Sequence, residues 1–195
     1  KINDGIIHVN VKNGHKAWSD LKESYSDFLS VMSEAVSEAD NYIDFAAYDT
    51  NKNGAIENNE LAIGFVVAGY EASADISFKM GAEKYIWAHK GAFYDSVPSP
   101  DKTKITDYIA VAEYRENKDG LNYQAEICTF AHELGHYLGL PDLYNMSGDN
   151  SYKSWKSYSV GYASLMADGA WGLTKDYDYT PYSLDIWSRV KLGWI

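Results

Sequence analysis

"HELGHYLGLPD", running from His132 to Asp142, decides how this chain is read. On an α-helix, residues four apart are rotated by about 40° and separated by about 6 Å, so His132 and His136 project from one face and can grip a single ion. Glu133 lies beside them. Two imidazoles, a carboxylate one residue after the first, and an open coordination position meet the needs of zinc-assisted peptide hydrolysis. The metal acidifies a water and polarises the scissile carbonyl, while the glutamate takes the proton and later delivers it to the leaving nitrogen. Gly139 can adopt the left-handed conformation that ends a helix, and Pro141 stops the helix from continuing. The backbone must therefore turn back towards the metal, which brings Asp142 to the position of a third ligand. The other histidines, His8, His15 and His89, lie far upstream and lack that turn. A helix with two surface histidines is the plain alternative, and the extended pattern argues against it.

The rest of the chain sets the bounds. Its 195 residues suit one domain, residues 1–195, and 46% hydrophobic with 15% aromatic residues is enough apolar material for a core. A formal charge of -11 excludes nucleic acid as the default partner, because phosphate binding relies on clustered lysine and arginine. The longest apolar run, "LAIGFVVAGY" (Leu61 to Tyr70), is about half of what crosses a bilayer, so no transmembrane segment is expected. The opening "KINDGIIHVNV" does not read as an intact signal peptide. Cys128 is the only cysteine, which rules out an internal disulfide and suits a small buried residue.

Periodicity predicts a strand over Ile6 to Val11 and a helix from about Ala17 to Ala39, capped by Ser19, with Leu21, Tyr25, Phe28, Met32, Ala35 and Val36 on its apolar face. The run from Leu61 to Tyr70 reads as a buried strand, and Glu71 to Lys104 as loop. Ile105 to Tyr114 is a well-marked strand closed by the turn "ENKDG". A helix from about Tyr123 to Leu138 carries the histidines. Tyr144 to Thr180 reads as irregular, and Tyr182 to Leu192 as a last amphipathic helix.

A second constellation is "DTNKNGAIENNE", Asp49 to Glu60. It matches an EF-hand loop at each diagnostic position: side-chain oxygens at Asp49, Asn51, Asn53 and Glu57, the backbone carbonyl of Ala55, a glycine at Gly54, and Glu60 last to bind through both oxygens. A strand-like run follows where a helix would be expected, so a structural calcium ion is favoured over a sensor. His89, beside Trp87, reads as structural, and Glu113 as a solvated carboxylate. Asp149, Asp176 and Asp178 read as surface.

With these residues in view, the sequence resembles a metzincin, whose signature is HExxHxxGxx followed by His or Asp, with a methionine turn further on. "SLMADGAW" (Ser164 to Trp171) supplies the turn, and the resemblance puts Met166 under the metal without ligating it. The closer resemblance is to the immune inhibitor A family of secreted bacterial metallopeptidases, carried by "GLPDLY", "DTNKNGAIENNEL", "VVAGYE", "IWAHK" and "KLGW". It spans about Ile43 to Trp194, and the first forty residues carry little of it. One departure is Asp168, which stands where several metzincins have a tyrosine two residues after the methionine. The transition-state donor is therefore unassigned, and the nearby Tyr158 and Tyr162 read as packing.

The resemblance implies an α+β, metzincin-like zinc peptidase domain with a twisted mixed sheet, an active-site helix, a methionine turn and a C-terminal helix. The upper part would span about residues 1–139 and the lower part about 140–195. It further implies a secreted, extracellular, monomeric endopeptidase with one catalytic zinc, at least one structural calcium, and protein or peptide substrates. The substrate would lie extended along the sheet's edge strand, for which Ile105 to Tyr114 is the best sequence candidate. The rival is a catalytically inactive, metal-stabilised binding or adhesion module. The intact Glu133 argues against it, because a pseudoenzyme has no use for a carboxylate at that place.

Overall fold

The computed structural model describes residues 5–12, 25–72, 85–99, 102–116, 122–145, 159–171 and 180–195. The expected cap Ser19, the start of the first helix, the turn "ENKDG" beyond Glu116, Tyr158, Asp149, Asp176 and Asp178 lie outside the described residues. The chain divides into two compact units, Lys1–Gln124 and Ala125–Ile195.

The first unit is a helix on a sheet. Helix α1 spans Tyr25–Ala39 and buries Phe28, Val31, Met32, Ala35 and Val36. These recur at offsets of three and four, the spacing that lines one stripe of a helix. The stripe joins Phe45, Ile56, Ile86, Phe93, Ile105, Tyr108, Ala110 and Ala112 in one apolar cluster. Residues 6–11 form no strand, contrary to expectation. At the end of that segment the Lys12 amide donates to the Glu34 carboxylate of α1 at 2.7 Å.

The sheet comprises β1 (Ala55–Ile56), β2 (Gly64–Glu71), β3 (Tyr85–Ile86), β4 (His89–Pro98), β5 (Lys104–Glu116) and β6 (Asn122–Gln124). Strand β5 is its spine, parallel to β1 and β2 and antiparallel to β4 and β6. This corrects three expectations. Ile105 to Tyr114 is not an edge strand, since β2 and β4 both pair with its middle. Its residues Tyr108 to Ala112 are all buried, as a central strand requires. The stretch Glu71 to Lys104, expected as loop, contains β3 and β4, and among the described residues β4 pairs only with β5. Finally, the apolar run Leu61 to Tyr70 is not buried throughout: β2 alternates, with Phe65 and Val67 against the core and Val66 66% exposed.

His89 is a packing residue, as expected. Its Nδ1 lies 2.7 Å from the Trp87 carbonyl and must donate, so Nε2 accepts the Tyr108 hydroxyl hydrogen at 2.9 Å. The Tyr25 hydroxyl in turn lies 2.8 Å from that of Tyr108, which ties α1 to β4 and β5. Burial lowers the His89 pKa and outweighs the opposing bond to Trp87, so the ring stays neutral.

The second unit carries helix α2, Ile127–Tyr137, and helix α3, Ile186–Lys191, with 3-10 turns at Gly161–Ala163 and Asp168–Trp171. Both helices are shorter than their patterns predict. Residues 122–124 pair with β5 instead of opening α2, and Asp185 caps α3 by accepting the Ser188 amide at 3.0 Å. Among the described residues no helix is long and apolar enough to cross a membrane.

Candidate metal centre

The C-terminus of α2 builds the centre. Gly139 has φ 92°, and the helix closes by two bonds, Gly139 N–H to the His136 carbonyl at 2.9 Å and Leu140 N–H to the Gly135 carbonyl at 3.0 Å. That is the Schellman closure, which needs a residue at ease in the left-handed region. The turn also orients a candidate ligand: the Leu140 carbonyl accepts from His136 Nδ1 at 2.8 Å. His132 Nδ1 donates in the same way to the Leu165 carbonyl at 2.8 Å.

These two bonds determine the tautomers. With both Nδ1 atoms donating to carbonyls, a neutral imidazole keeps its lone pair on Nε2. The two Nε2 atoms are 3.1 Å apart. Asp142 Oδ1 stands 3.2 Å from one and 3.0 Å from the other. It is buried and has no hydrogen-bond partner. Three electron pairs converging with no hydrogen among them are repulsive unless a cation sits between them, and the set His132, His136 and Asp142 fits a metal ion on that ground. Without a cation the proton is drawn in instead. Burial opposes charging His136, but the Asp142 carboxylate and the Leu140 carbonyl outweigh it and raise its pKa.

Glu133 is buried, 6% exposed, and its charge is felt at both His136 and Tyr144. Sequence alone assigns Tyr144 no role, although its place two residues after Asp142 is the available signal. Its ring stacks on His132 at 6.2 Å and 26°, and its hydroxyl bonds the Asp142 carboxylate. Burial, then the charge of Asp142, pushes the phenol up to about 12, so it stays protonated and able to donate. Tyr162 is exposed and packs against Tyr182, so it is no rival.

Met166 is fully buried, and a Cβ built on Gly135 would lie 2.3 Å from its sulfur. A glycine between the two histidine turns lets the methionine press against α2 there. Met166→Leu, similar in volume but different in shape, is expected to keep the metal and lose about 1 kcal/mol of stability, read from a melting curve. Sulfur coordination in a metal-bound structure would overturn that role.

The Asp49 to Glu60 loop belongs to the first unit. Asp49 accepts the Asn53 and Gly54 amides at 3.0 and 2.8 Å, Asn51 accepts the Asn53 amide at 3.0 Å, and Asn53 accepts the Ala55 amide at 2.9 Å. Glu57 accepts the side-chain amides of Asn51 and Asn53. One Glu60 oxygen takes Thr50 and Asn51, and the other takes the Glu57 amide at 3.1 Å. Lys52 and Gly54 turn the loop with positive φ. Ala55 starts β1, anchored on Lys104 of β5. The oxygens of the two ends thus meet across the loop through Glu60.

A mixed α/β chain whose helix-borne histidines are closed by a glycine turn, with a buried methionine against that helix, is a metallopeptidase domain of the metzincin kind. The chain belongs to the immune inhibitor A peptidase family: the model of the immune inhibitor A peptidase M6 catalytic domain matches residues 7–195. The match takes in most of the first forty residues, which carry few of the family's motifs. Comparison with curated proteins gives no match.

Proposed function

We propose that this domain is a secreted, monomeric zinc-dependent endopeptidase that hydrolyses protein substrates with Glu133 as general base and acid. The observation that carries the reading is the buried Asp142 oxygen, 3.0 to 3.2 Å from two imidazole lone pairs and lacking any hydrogen-bond partner. A tetrahedral zinc with bonds of about 2.0 to 2.1 Å spaces its ligands by about 3.3 Å, close to those separations. Two imidazoles and a carboxylate are also the donor set of a catalytic zinc site with one open position. Zinc held there supplies a more acidic water and a polarised carbonyl.

The remaining chemistry rests on the chain's own residues. Glu133, one residue along α2 from His132, takes a proton from the attacking water and returns it to the leaving amine. The carbonyls of Leu165 and Leu140 hold both imidazoles in the ligating tautomer. Tyr144, protonated beside the cluster, gives its one hydrogen to the Asp142 carboxylate at rest and would have to turn it from there to stabilise the oxygen that gains charge as the carbonyl is attacked. Casein or gelatin hydrolysis that stops with a chelator and returns with zinc tests the reading. Hydrolysis indifferent to the chelator would sink it.

Calcium in the Asp49 to Glu60 loop completes the proposal, with Asp49, Asn51, Asn53, Glu57 and Glu60 as side-chain ligands and Ala55 through its carbonyl. Burial works to raise the Glu60 pKa, but bonds from Thr50, Glu57 and Asn51 outweigh it and lower it, so the carboxylate is ionised and ready for a cation. At about a hundred times its dissociation constant a bound ion adds about 2.7 kcal/mol, a shift of several degrees in melting temperature. Glu60→Ala should remove that calcium-dependent shift and hasten autolysis while the zinc stays. A melting curve flat across the calcium range would count against the site.

A further inference from the structure

The methionine turn holds two of the three candidate ligands from behind. The Leu165 carbonyl accepts from His132 Nδ1 at 2.8 Å. The next carbonyl, that of Met166, accepts the amide of Leu143 at 2.7 Å, and Leu143 directly follows Asp142. What aims these two carbonyls is a side-chain bridge to the start of α3. The Ser164 hydroxyl donates to Asp185 Oδ2 at 2.6 Å and, with its only hydrogen committed, accepts the Met166 amide at 3.0 Å. The same Oδ2 accepts the Ser188 hydroxyl at 2.6 Å, while Oδ1 caps α3 through the Ser188 amide at 3.0 Å. Ser164 and Ser188 are both fully buried. Burial works to raise the Asp185 pKa, but the bonds from Ser164 and Ser188 outweigh it and lower it, so the group is a carboxylate.

A helix cap needs only one of these oxygens. The second serves two hydroxyls, and one of them belongs to a turn 21 residues earlier. We infer that Asp185 is a positioning residue for the metal centre, acting through Ser164 to hold the Leu165 and Met166 carbonyls against His132 and the Asp142–Leu143 segment. This rests on the cluster being a zinc site and adds a residue from a separate element to it. Outer partners of this kind commonly change metal affinity by about 10- to 100-fold when altered.

Two variants separate positioning from capping. Asp185→Asn keeps the size and remains a good helix cap, but its single acceptor oxygen cannot serve both the Ser188 amide and the two hydroxyls. Ser164→Ala leaves the cap untouched and removes the bridge. The measurements are the zinc dissociation constant by competition with a chromophoric chelator, the visible absorption of the cobalt-substituted protein, and melting of the metal-free protein. Both variants should bind zinc about 10- to 100-fold more weakly and shift the cobalt bands, since the ligand geometry itself is altered. Zinc affinity within about two-fold of the parent and unchanged cobalt bands in both variants would overturn the inference, whatever happens to melting. Failure of the unaltered protein to bind zinc would instead overturn the zinc reading beneath it.

Discussion

Glu133→Ala is expected to leave a folded protein that holds zinc at close to one ion per chain and hydrolyses peptides at least about a thousand-fold more slowly. Removal of a positioned general base costs about 10²- to 10⁴-fold, and here the same group must also protonate the leaving amine. Zinc should stay because Glu133 is not among the three converging atoms, which come from His132, His136 and Asp142. The fold should stay because alanine is the most favourable residue in a helix interior. Zinc content by atomic absorption, together with kcat/KM on a quenched peptide, checks both halves. Turnover within about ten-fold of the parent would remove Glu133 from its role, since general-base losses are larger than that.

Asp142→Ala should have the other large effect, loss of tight zinc binding and of all hydrolysis with it. Burial works to raise the Asp142 pKa, but hydrogen bonds and positive charge from the His132 and His136 side, present when a proton takes the place of the ion, outweigh it and hold the carboxylate well below its usual range. The ligand is therefore anionic at every working pH, and its removal takes away a bond and a compensating charge together. An anionic third ligand also leaves less positive charge on the ion than three neutral imidazoles would, so water there is less acidic and activity should favour the alkaline side. Asp142→His should recover metal and move the acidic limb of the pH profile downward. A zinc-bound structure with the Asp142 oxygen remote from the ion, instead of at about 2.0 to 2.2 Å, would refute the assignment.

These expectations differ in where they could be read. The histidine pair, the glycine turn and Asp142 are legible in sequence because every interaction that brings them together is local: a helical period, a Schellman closure from Gly135 to Leu140, and a candidate ligand six residues after His136. The Asp49 to Glu60 loop is legible for the same reason, since its side chains and amides satisfy one another within twelve positions. The α1 stripe follows from its own periodicity. Only partners decide the remainder. Strand β4 carries glycine and proline that read as loop, and it becomes a strand by pairing with β5, with His89 opposite Ala110. Whether β5 lies at an edge or in the centre depends on what hydrogen-bonds to each side of it, which no property of its own residues encodes. The same holds around the candidate metal centre: the bond from His132 to Leu165 spans 33 residues, and that from Ser164 to Asp185 spans 21. Sequence by itself determined which side chains stand together as candidate ligands, because helix and turn geometry are short-ranged. The tertiary structure decided which carbonyls and carboxylates hold them in place, because backbone hydrogen bonds can be made by any residue that packing brings within reach.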